Sequence, residues 1–91
     1  MHVPNQLVGV PLGMDVQLEC QIEASPKPVV YWSHQGVMIS NSSRVVSQTM
    51  SDSYKYTMLI TIKGVTDSDY GLYLCVAKNS FAETNGSIKL N

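Results

Sequence analysis

The sequence predicts an all-β fold, a two-sheet antiparallel sandwich, because short stretches of alternating apolar and polar residues are separated by clusters of turn-forming residues. The clearest alternation covers residues 16–23, where every second side chain is apolar. Clusters of Pro, Gly, Asn, Asp and Ser recur about every 8 to 12 residues, a spacing typical of sandwiches and barrels. Helical periodicity is nearly absent, and only residues 66–70 suggest a single 3₁₀ turn.

The alternation places the strands in chain order. After a first strand broken around residues 4–11, strands are expected at 16–23, 29–34, 55–63 and 71–78, followed by a last strand that carries Ile88 and Leu90. A hairpin over residues 79–83 joins the last two strands, because only five residues follow the turn-like pair Asn85-Gly86. The side chains expected to face the core are Val16, Leu18, Cys20, Ile22, Val30, Trp32, Met58, Ile60, Ile62, Val65, Tyr73, Cys75, Ala77, Ile88 and Leu90.

Length and composition limit the classes of protein. The chain has 91 residues, of which 44% are hydrophobic, enough for one domain with a core. Its formal net charge is -1 and it has no basic run, so nucleic acid is not an expected partner. No stretch approaches the ~20 apolar residues of a membrane span. We interpret residues 1–91 as a single domain excised from a longer protein, with Met1 as an added initiator.

The sequence supports no catalytic, cofactor or metal site. It contains no nucleophile elbow, no phosphate-binding glycine loop and no zinc motif, and His2 and His34 lack ligand partners at metal spacing. Asp67 and Asp69 share one turn, where capping or fixing of the loop is favoured over catalysis. His34 is interpreted as a solvated or hydrogen-bonded turn residue rather than a pH switch.

Cys20 and Cys75 lie on the inward faces of two predicted strands, 55 positions apart. Strands of opposite sheets can bring two such thiols within the distance that a disulfide requires. A disulfide would indicate an oxidising compartment, whereas a pair of buried reduced thiols in a cytosolic domain remains the alternative.

These residues together resemble a known signature. Cys20, Trp32 and the run Asp69-Tyr70-Gly71-Leu72-Tyr73-Leu74-Cys75 resemble the Cys, Trp and Asp-x-Gly-x-Tyr-x-Cys pattern of immunoglobulin domains. The resemblance implies that Trp32 packs on an inter-sheet disulfide, that the Tyr73 hydroxyl bonds backbone near residues 67–69, and that Asp69 pairs with Arg44. The short spacing of the cysteines and the broken first strand are similar to the intermediate set.

A narrower resemblance covers most of the chain. Segments such as 3–9, 11–13, 18–20, 36–38 and 86–88 resemble the third immunoglobulin domain of the arthropod Dpr-interacting proteins and lachesin, relatives of the IgLON adhesion molecules. This implies a neuronal, membrane-proximal adhesion module on an anchored cell-surface protein, with other immunoglobulin-superfamily proteins as partners. Ala82 departs from the family, which often has Gly there, so the turn is expected to differ.

Two surface features suggest further sites. Asn41-Ser42-Ser43 and Asn85-Gly86-Ser87 are both N-glycosylation sequons. The outward residues of the sheet that carries the last strands form an apolar patch, while the outward residues of 16–23 are Gln and Glu. The patch is a candidate interface for a partner or for weak self-association centred on Tyr31 and Leu74; its members are Val29, Tyr31, Met38, Leu74 and Val76. The alternatives are that it packs on a neighbouring immunoglobulin domain of the same chain or that a glycan on Asn85 shields it.

Two alternatives to the extracellular adhesion module stay open. The same fold occurs with reduced thiols in scaffolding domains of intracellular muscle-type proteins, and it is also appended to receptor kinases and extracellular enzymes.

Overall fold

The computed structural model describes residues 6–91, which form eight strands and one 3₁₀ turn. The predicted all-β fold class is therefore confirmed. The elements are β1 (Gln6–Val8), β2 (Val16–Glu23), β3 (Val29–His34), β4 (Val37–Met38), β5 (Val45–Asp52), β6 (Lys55–Ile62), the 3₁₀ turn (Asp67–Asp69), β7 (Gly71–Lys78) and β8 (Glu83–Leu90).

The strands form two sheets. A five-stranded sheet has the order β1-β8-β7-β3-β4, and a three-stranded sheet has the order β2-β6-β5. Pairing is antiparallel except between β1 and β8, which run parallel. The β7–β8 hairpin turns before Glu83, and Asn85-Gly86 lies within β8, as the sequence predicts.

The core lies between the sheets and has the predicted register. Leu18 is buried while Gln17 and Glu19 on either side of it are exposed, which excludes a one-residue slip of β2. Val16 and Val30 are half-buried against the core rather than fully enclosed. Tyr56 is buried at an inward position of β6 that the sequence analysis did not assign.

The alternation did not reveal two strands, the two-residue β4 and the eight-residue β5. β5 is the longer of the two. Its register with β6 sets Ser47 opposite Ile60, Thr49 opposite Met58 and Ser51 opposite Tyr56. These three positions face the same side as buried apolar residues of β6, yet they carry small hydroxyl side chains. β5 is an edge strand and most of it is exposed, so apolar side chains are not needed there.

Two turns are set by local chemistry. Gln35 and Gly36 both have positive φ, 52° and 80°, and form the two-residue turn between β3 and β4. In the β7–β8 hairpin the Asn79 side-chain oxygen accepts hydrogen bonds from the backbone N–H groups of Phe81 and Ala82, at 2.9 and 3.0 Å. Ala82 is not among the described residues with positive φ, so the turn does not need Gly there.

Candidate recognition surface

A disulfide joins the two sheets. Cys20 of β2 and Cys75 of β7 are bonded, with their α-carbons 6.5 Å apart, and both are fully buried. Trp32 lies directly opposite Cys75 on β3 and belongs to the same core cluster. Its indole N–H is buried without a hydrogen-bond partner among the described residues. The centre of the domain is therefore an apolar core crossed by a covalent link, and it holds the two sheets in a fixed arrangement.

Asp69 fixes the turn before β7. Its carboxylate accepts hydrogen bonds from the Thr66 N–H at 2.8 Å and the Thr66 hydroxyl at 3.1 Å, and it forms an ion pair with Arg44. Arg44 also donates to the carbonyls of Lys63 and Gly64. Partial burial raises the pKa of Asp69, but the Thr66 and Arg44 hydrogen bonds and the Arg44 charge outweigh it and lower the pKa below 3.8. These bonds, all to the Oδ2 atom, give the Asp69 carboxylate a structural role in which it ties the turn to Arg44 and Thr66.

Tyr73 closes the same turn from inside. Its hydroxyl donates to the Asp69 carbonyl at 2.6 Å, and its ring stacks on His34 with 4.1 Å between centroids. Burial, and then the negative charge of Asp69, raise the pKa of Tyr73 to about 12. His34 is thus a half-buried, hydrogen-bonded residue at the end of β3, and its Nε2–H donates to the Tyr70 carbonyl at 3.2 Å.

Two features of this turn were not found from the sequence. The Tyr70 hydroxyl donates to the Val10 carbonyl at 2.8 Å and ties the turn to the segment after β1. Gly71 has a φ of 125°, and an added Cβ would lie 3.0 Å from the Gln35 Nε2 atom. The glycine in the Asp-x-Gly part of the signature therefore has a local backbone reason, which spacing alone did not reveal.

The outward side chains of the five-stranded sheet form what we call the outer face. Across the strands, Leu72 lies beside Lys89, and Leu7 lies beyond Lys89 on β1. Leu74 lies between Ser87 and Ser33, with Met38 beyond Ser33. Val76 lies between Asn85 and Tyr31, and Lys78 lies between Glu83 and Val29.

The structure brings four of the five predicted interface residues to the surface. Val29 and Met38 are 70% and 62% exposed, and Tyr31 and Leu74 are half-buried. The prediction that Val76 is exposed is wrong, because only 5% of it is accessible. β7 is an interior strand, so this short side chain stands between the larger Tyr31 and Asn85 of the two neighbouring strands, a position that accounts for its low accessibility.

The outer side of the three-stranded sheet is different. The outward residues of β2 are exposed Gln and Glu side chains, and Gln17 donates to the Thr61 hydroxyl of β6 at 3.3 Å. The outward apolar residues of β5 and β6 are separated by polar cross-strand neighbours, as in the row Glu19, Leu59, Gln48. No continuous apolar row crosses this sheet within the described residues.

Both sequon asparagines are exposed. Asn85 lies on the outer face in the same row as Val76 and Tyr31. Asn41 lies in the loop before β5, where its side-chain oxygen accepts hydrogen bonds from the Ser47 N–H at 2.8 Å and the Ser47 hydroxyl at 2.9 Å. The amide nitrogen of Asn41, which is the atom that carries a glycan, is not used in these bonds.

The described residues, 6–91, contain neither a metal-binding cluster nor a membrane-spanning helix. No group of three or more His, Cys, Asp or Glu side chains there is arranged to hold a metal ion. No helix in this part of the chain is both long and apolar enough to cross a membrane.

Comparisons with known proteins agree with this geometry. The family model for the immunoglobulin I-set domain matches residues 1–91. Lachesin from Drosophila melanogaster is 30% identical over 89 residues, which are 97% of this chain and 25% of lachesin. The muscle M-line assembly protein unc-89 from Caenorhabditis elegans is 32% identical over 79 residues, 87% of this chain but 1% of that protein. A fibroblast growth factor receptor from Halocynthia roretzi and the tyrosine-protein kinase receptor TYRO3 from Mus musculus are also among the relatives.

A solved complex provides a structural match. The crystal structure of Dpr2 Ig1–Ig2 in complex with DIP-Theta Ig1–Ig3 contains a chain that superimposes with a TM-score of 0.92 at 46% identity. The match covers 98% of this chain and 30% of that one. This chain thus spans less than a third of the length of each of these three proteins.

Proposed function

This chain belongs to the immunoglobulin I-set family, and from that premise we propose that it is a non-catalytic module of an extracellular cell-surface adhesion protein. The observation that carries the proposal is the 46% identity and 0.92 TM-score with a chain of the Dpr2 and DIP-Theta complex. That match covers 30% of the other chain, close to the third expected for one domain of three. We place the module in the membrane-proximal third position, where it recognises another immunoglobulin-superfamily protein or spaces the recognising domains from the membrane.

The buried disulfide supports the extracellular assignment. Cys20 and Cys75 are both fully buried and bonded to each other, and free cysteines are absent from the described residues. Disulfides persist in secreted and cell-surface proteins and are rare in the cytosol. An intracellular muscle scaffold, suggested by the similarity to unc-89, would instead keep both thiols reduced.

The test uses the full-length protein in the cells that produce it. Surface biotinylation is followed by denaturation, alkylation of free thiols in denaturant without a reductant, and mass analysis of the peptides that contain Cys20 and Cys75, because both residues are buried in the folded domain. We expect biotinylated protein in which these peptides are linked and unalkylated. An intracellular protein with both cysteines alkylated would overturn the proposal in favour of the muscle-type scaffold. A catalytic domain in the same full-length chain would favour the receptor-kinase alternative.

An exchange of domains distinguishes the two roles proposed for the module, partner recognition and spacing. In the full-length ectodomain, this module is replaced by an I-set domain of equal length and unrelated surface. Unchanged affinity for the protein partner in surface plasmon resonance supports the spacer role. A large loss of affinity supports recognition by this domain itself.

A further inference from the structure

The outer face contains its own glycosylation sequon. Asn85 and Ser87 point outward from β8, while Gly86 between them is buried opposite Cys75. Because side chains alternate along a strand, the two sequon side chains that the glycosylation enzyme reads share one face. Asn85 therefore lies in the same row as Val76 and Tyr31, and Ser87 lies directly opposite Leu74.

We propose that Asn85 carries an N-linked glycan whose core sugars lie across Val76 and against the ring of Tyr31, so that sugar covers the centre of the outer face. The inference rests on the proposed function, because N-glycosylation requires entry into the secretory pathway. In the transfer, the Asn85 side-chain nitrogen forms a bond to C1 of the first sugar of a lipid-diphosphate-linked oligosaccharide. The bond from C1 to the diphosphate breaks, the lipid diphosphate leaves, and the amide nitrogen gives up one proton.

The position of Asn85 in a strand does not oppose the transfer, because the reaction takes place on the extended chain before the domain folds. After folding, the Asn85 side chain remains exposed on the outer face. A glycan attached there starts at the surface and needs no local unfolding. Asn41 offers the same chemistry in the loop between β4 and β5, outside the strands that form the rows of Tyr31 and Asn85.

The geometry across the strands fits two sugar rings. Neighbouring strands are ~4.8 Å apart, so Tyr31 lies roughly 10 Å from Asn85, a distance that the two core N-acetylglucosamine rings span. Val76 between them has a short, buried side chain, so it does not block a sugar ring that lies across the sheet from Asn85 to Tyr31. The C–H face of a sugar ring matches the apolar face of a Tyr ring, and the hydroxyl groups of both stay in water.

A glycan at this position excludes a protein partner from the same rows. A partner that docks on Tyr31 and Leu74 has to cover Asn85 as well, which requires a bare asparagine. Protein without the glycan leaves the apolar side chains of the outer face uncovered, and we expect it to self-associate weakly through Tyr31 and Leu74. Replacing both residues by Ser should abolish this association and leave the thermal midpoint nearly unchanged, since neither side chain is in the core.

The experiment compares protein secreted from animal cells with refolded, oxidised protein from bacteria. The variants are Asn85→Gln, Tyr31→Ala, Tyr31→Phe and the control Asn41→Gln. Glycopeptide mass spectrometry reports occupancy, thermal melts report the midpoint, and sedimentation equilibrium reports self-association. In the secreted protein we expect a glycan on Asn85, a monomer, and a midpoint at least about 4 °C above that of Asn85→Gln, a shift that corresponds to ~1 kcal/mol in a domain of this size.

The variants at Tyr31 test the contact itself. Tyr31→Ala should remove the difference in midpoint between the glycosylated and bare forms, whereas Tyr31→Phe, which keeps the ring, should retain it. Asn41→Gln should not change that difference. If Tyr31→Ala does not fold, self-association decides: Asn85→Gln should associate while the glycosylated protein stays monomeric.

Three results would overturn the inference. They are a bare Asn85 in secreted protein whose Asn41 is occupied, a shift in midpoint that survives Tyr31→Ala, and glycosylated protein that associates as strongly as Asn85→Gln. None of them affects the proposed function, which is tested by surface labelling and thiol alkylation in the native cells.

Discussion

Replacing Tyr73 by Phe should destabilise the domain by breaking the hydrogen bond that closes the turn before β7. The Tyr73 hydroxyl donates to the Asp69 carbonyl at 2.6 Å, and the ring itself is buried against His34. Phe keeps the ring and its stacking, so the change removes one donor and little volume. The measured loss therefore reports this hydrogen bond rather than a cavity.

The magnitude follows from the state of the acceptor after the change. A typical internal hydrogen bond contributes about 1 kcal/mol, and a buried acceptor left without its donor costs about 1 to 3 kcal/mol. We expect a loss of about 1 to 2 kcal/mol, which corresponds to a fall in Tm of roughly 5 to 10 °C for a domain of this size. The measurement is urea denaturation with the disulfide intact, where the midpoint should fall at an unchanged slope.

The dependence of the urea midpoint on pH, measured between pH 8 and 12, is an independent check of the same hydrogen bond. The pKa of Tyr73 is raised to about 12 in the folded protein, above the ordinary 10.0. The stability that comes from the protonated phenol is therefore complete below pH 10 and is lost as the pH rises through 12. Tyr73→Phe should lack this contribution and show a shallower loss between pH 10 and 12. The control is Tyr54→Phe, in an exposed turn. Equal midpoints for Tyr73→Phe and wild type, or parallel alkaline profiles, would refute the reasoning.

Three further changes test the turn and the scaffold. Gly71→Ala should destabilise the domain by more than about 1 kcal/mol, because the φ of Gly71 is 125°. Gly9→Ala is the control and should be near neutral, because Gly9 has negative φ and an added Cβ would make only ordinary contacts. Similar denaturation midpoints for the two variants would contradict this. Asp69 has a lowered pKa, so its contribution is present above pH 3.8 and lost as the pH falls through the lowered folded value; Asp69→Asn should flatten the acid limb of the stability profile, and an unchanged limb would count against the pairing. Replacing Cys20 and Cys75 together by Val opens a link between residues 55 apart and should cost up to about 4 kcal/mol in denaturant unfolding, and a loss below about 1 kcal/mol would show that the bond adds little.

The strands that the sequence predicts well are those with a buried side at every second position. β2 alternates over its whole length, and its register was correct to the residue. β5 has equal length, but after Val45 its inward positions carry Ser47, Thr49 and Ser51, so its pattern does not distinguish a strand from a loop. Only its pairing with β6, across the two-residue turn at Ser53 and Tyr54, makes it a strand. Periodicity finds a strand through its burial, and it misses an edge strand that is largely exposed.

The candidate surface shows a second limit. Alternation correctly assigned Val76 to the outer face. It predicts the side of the sheet to which a side chain points, but it does not predict how much of that side chain is accessible to solvent. The accessibility of Val76 depends on the side chains of Tyr31 and Asn85 on the two neighbouring strands, and those neighbours are known only from the register of β3, β7 and β8. Similarly, the Tyr70 hydroxyl reaches the Val10 carbonyl across 60 positions, and no local pattern indicates that pair.

Folding of the domain does not explain why the outward side chains of the two sheets differ in polarity. Both sheets pack on the same core, and their outward residues play no part in its burial, so either sheet folds equally well with polar outward side chains. The three-stranded sheet has such residues along β2, and the apolar residues on its other strands are separated by polar neighbours. The five-stranded sheet instead has the half-buried side chains of Tyr31 and Leu74 and the exposed side chains of Val29 and Met38 around a covered Val76, at a cost in solubility in a chain with only 14% charged residues. Because core packing does not require these side chains, an occupant of the face accounts for them best, and Asn85 sets the attachment point of one such occupant in the same row.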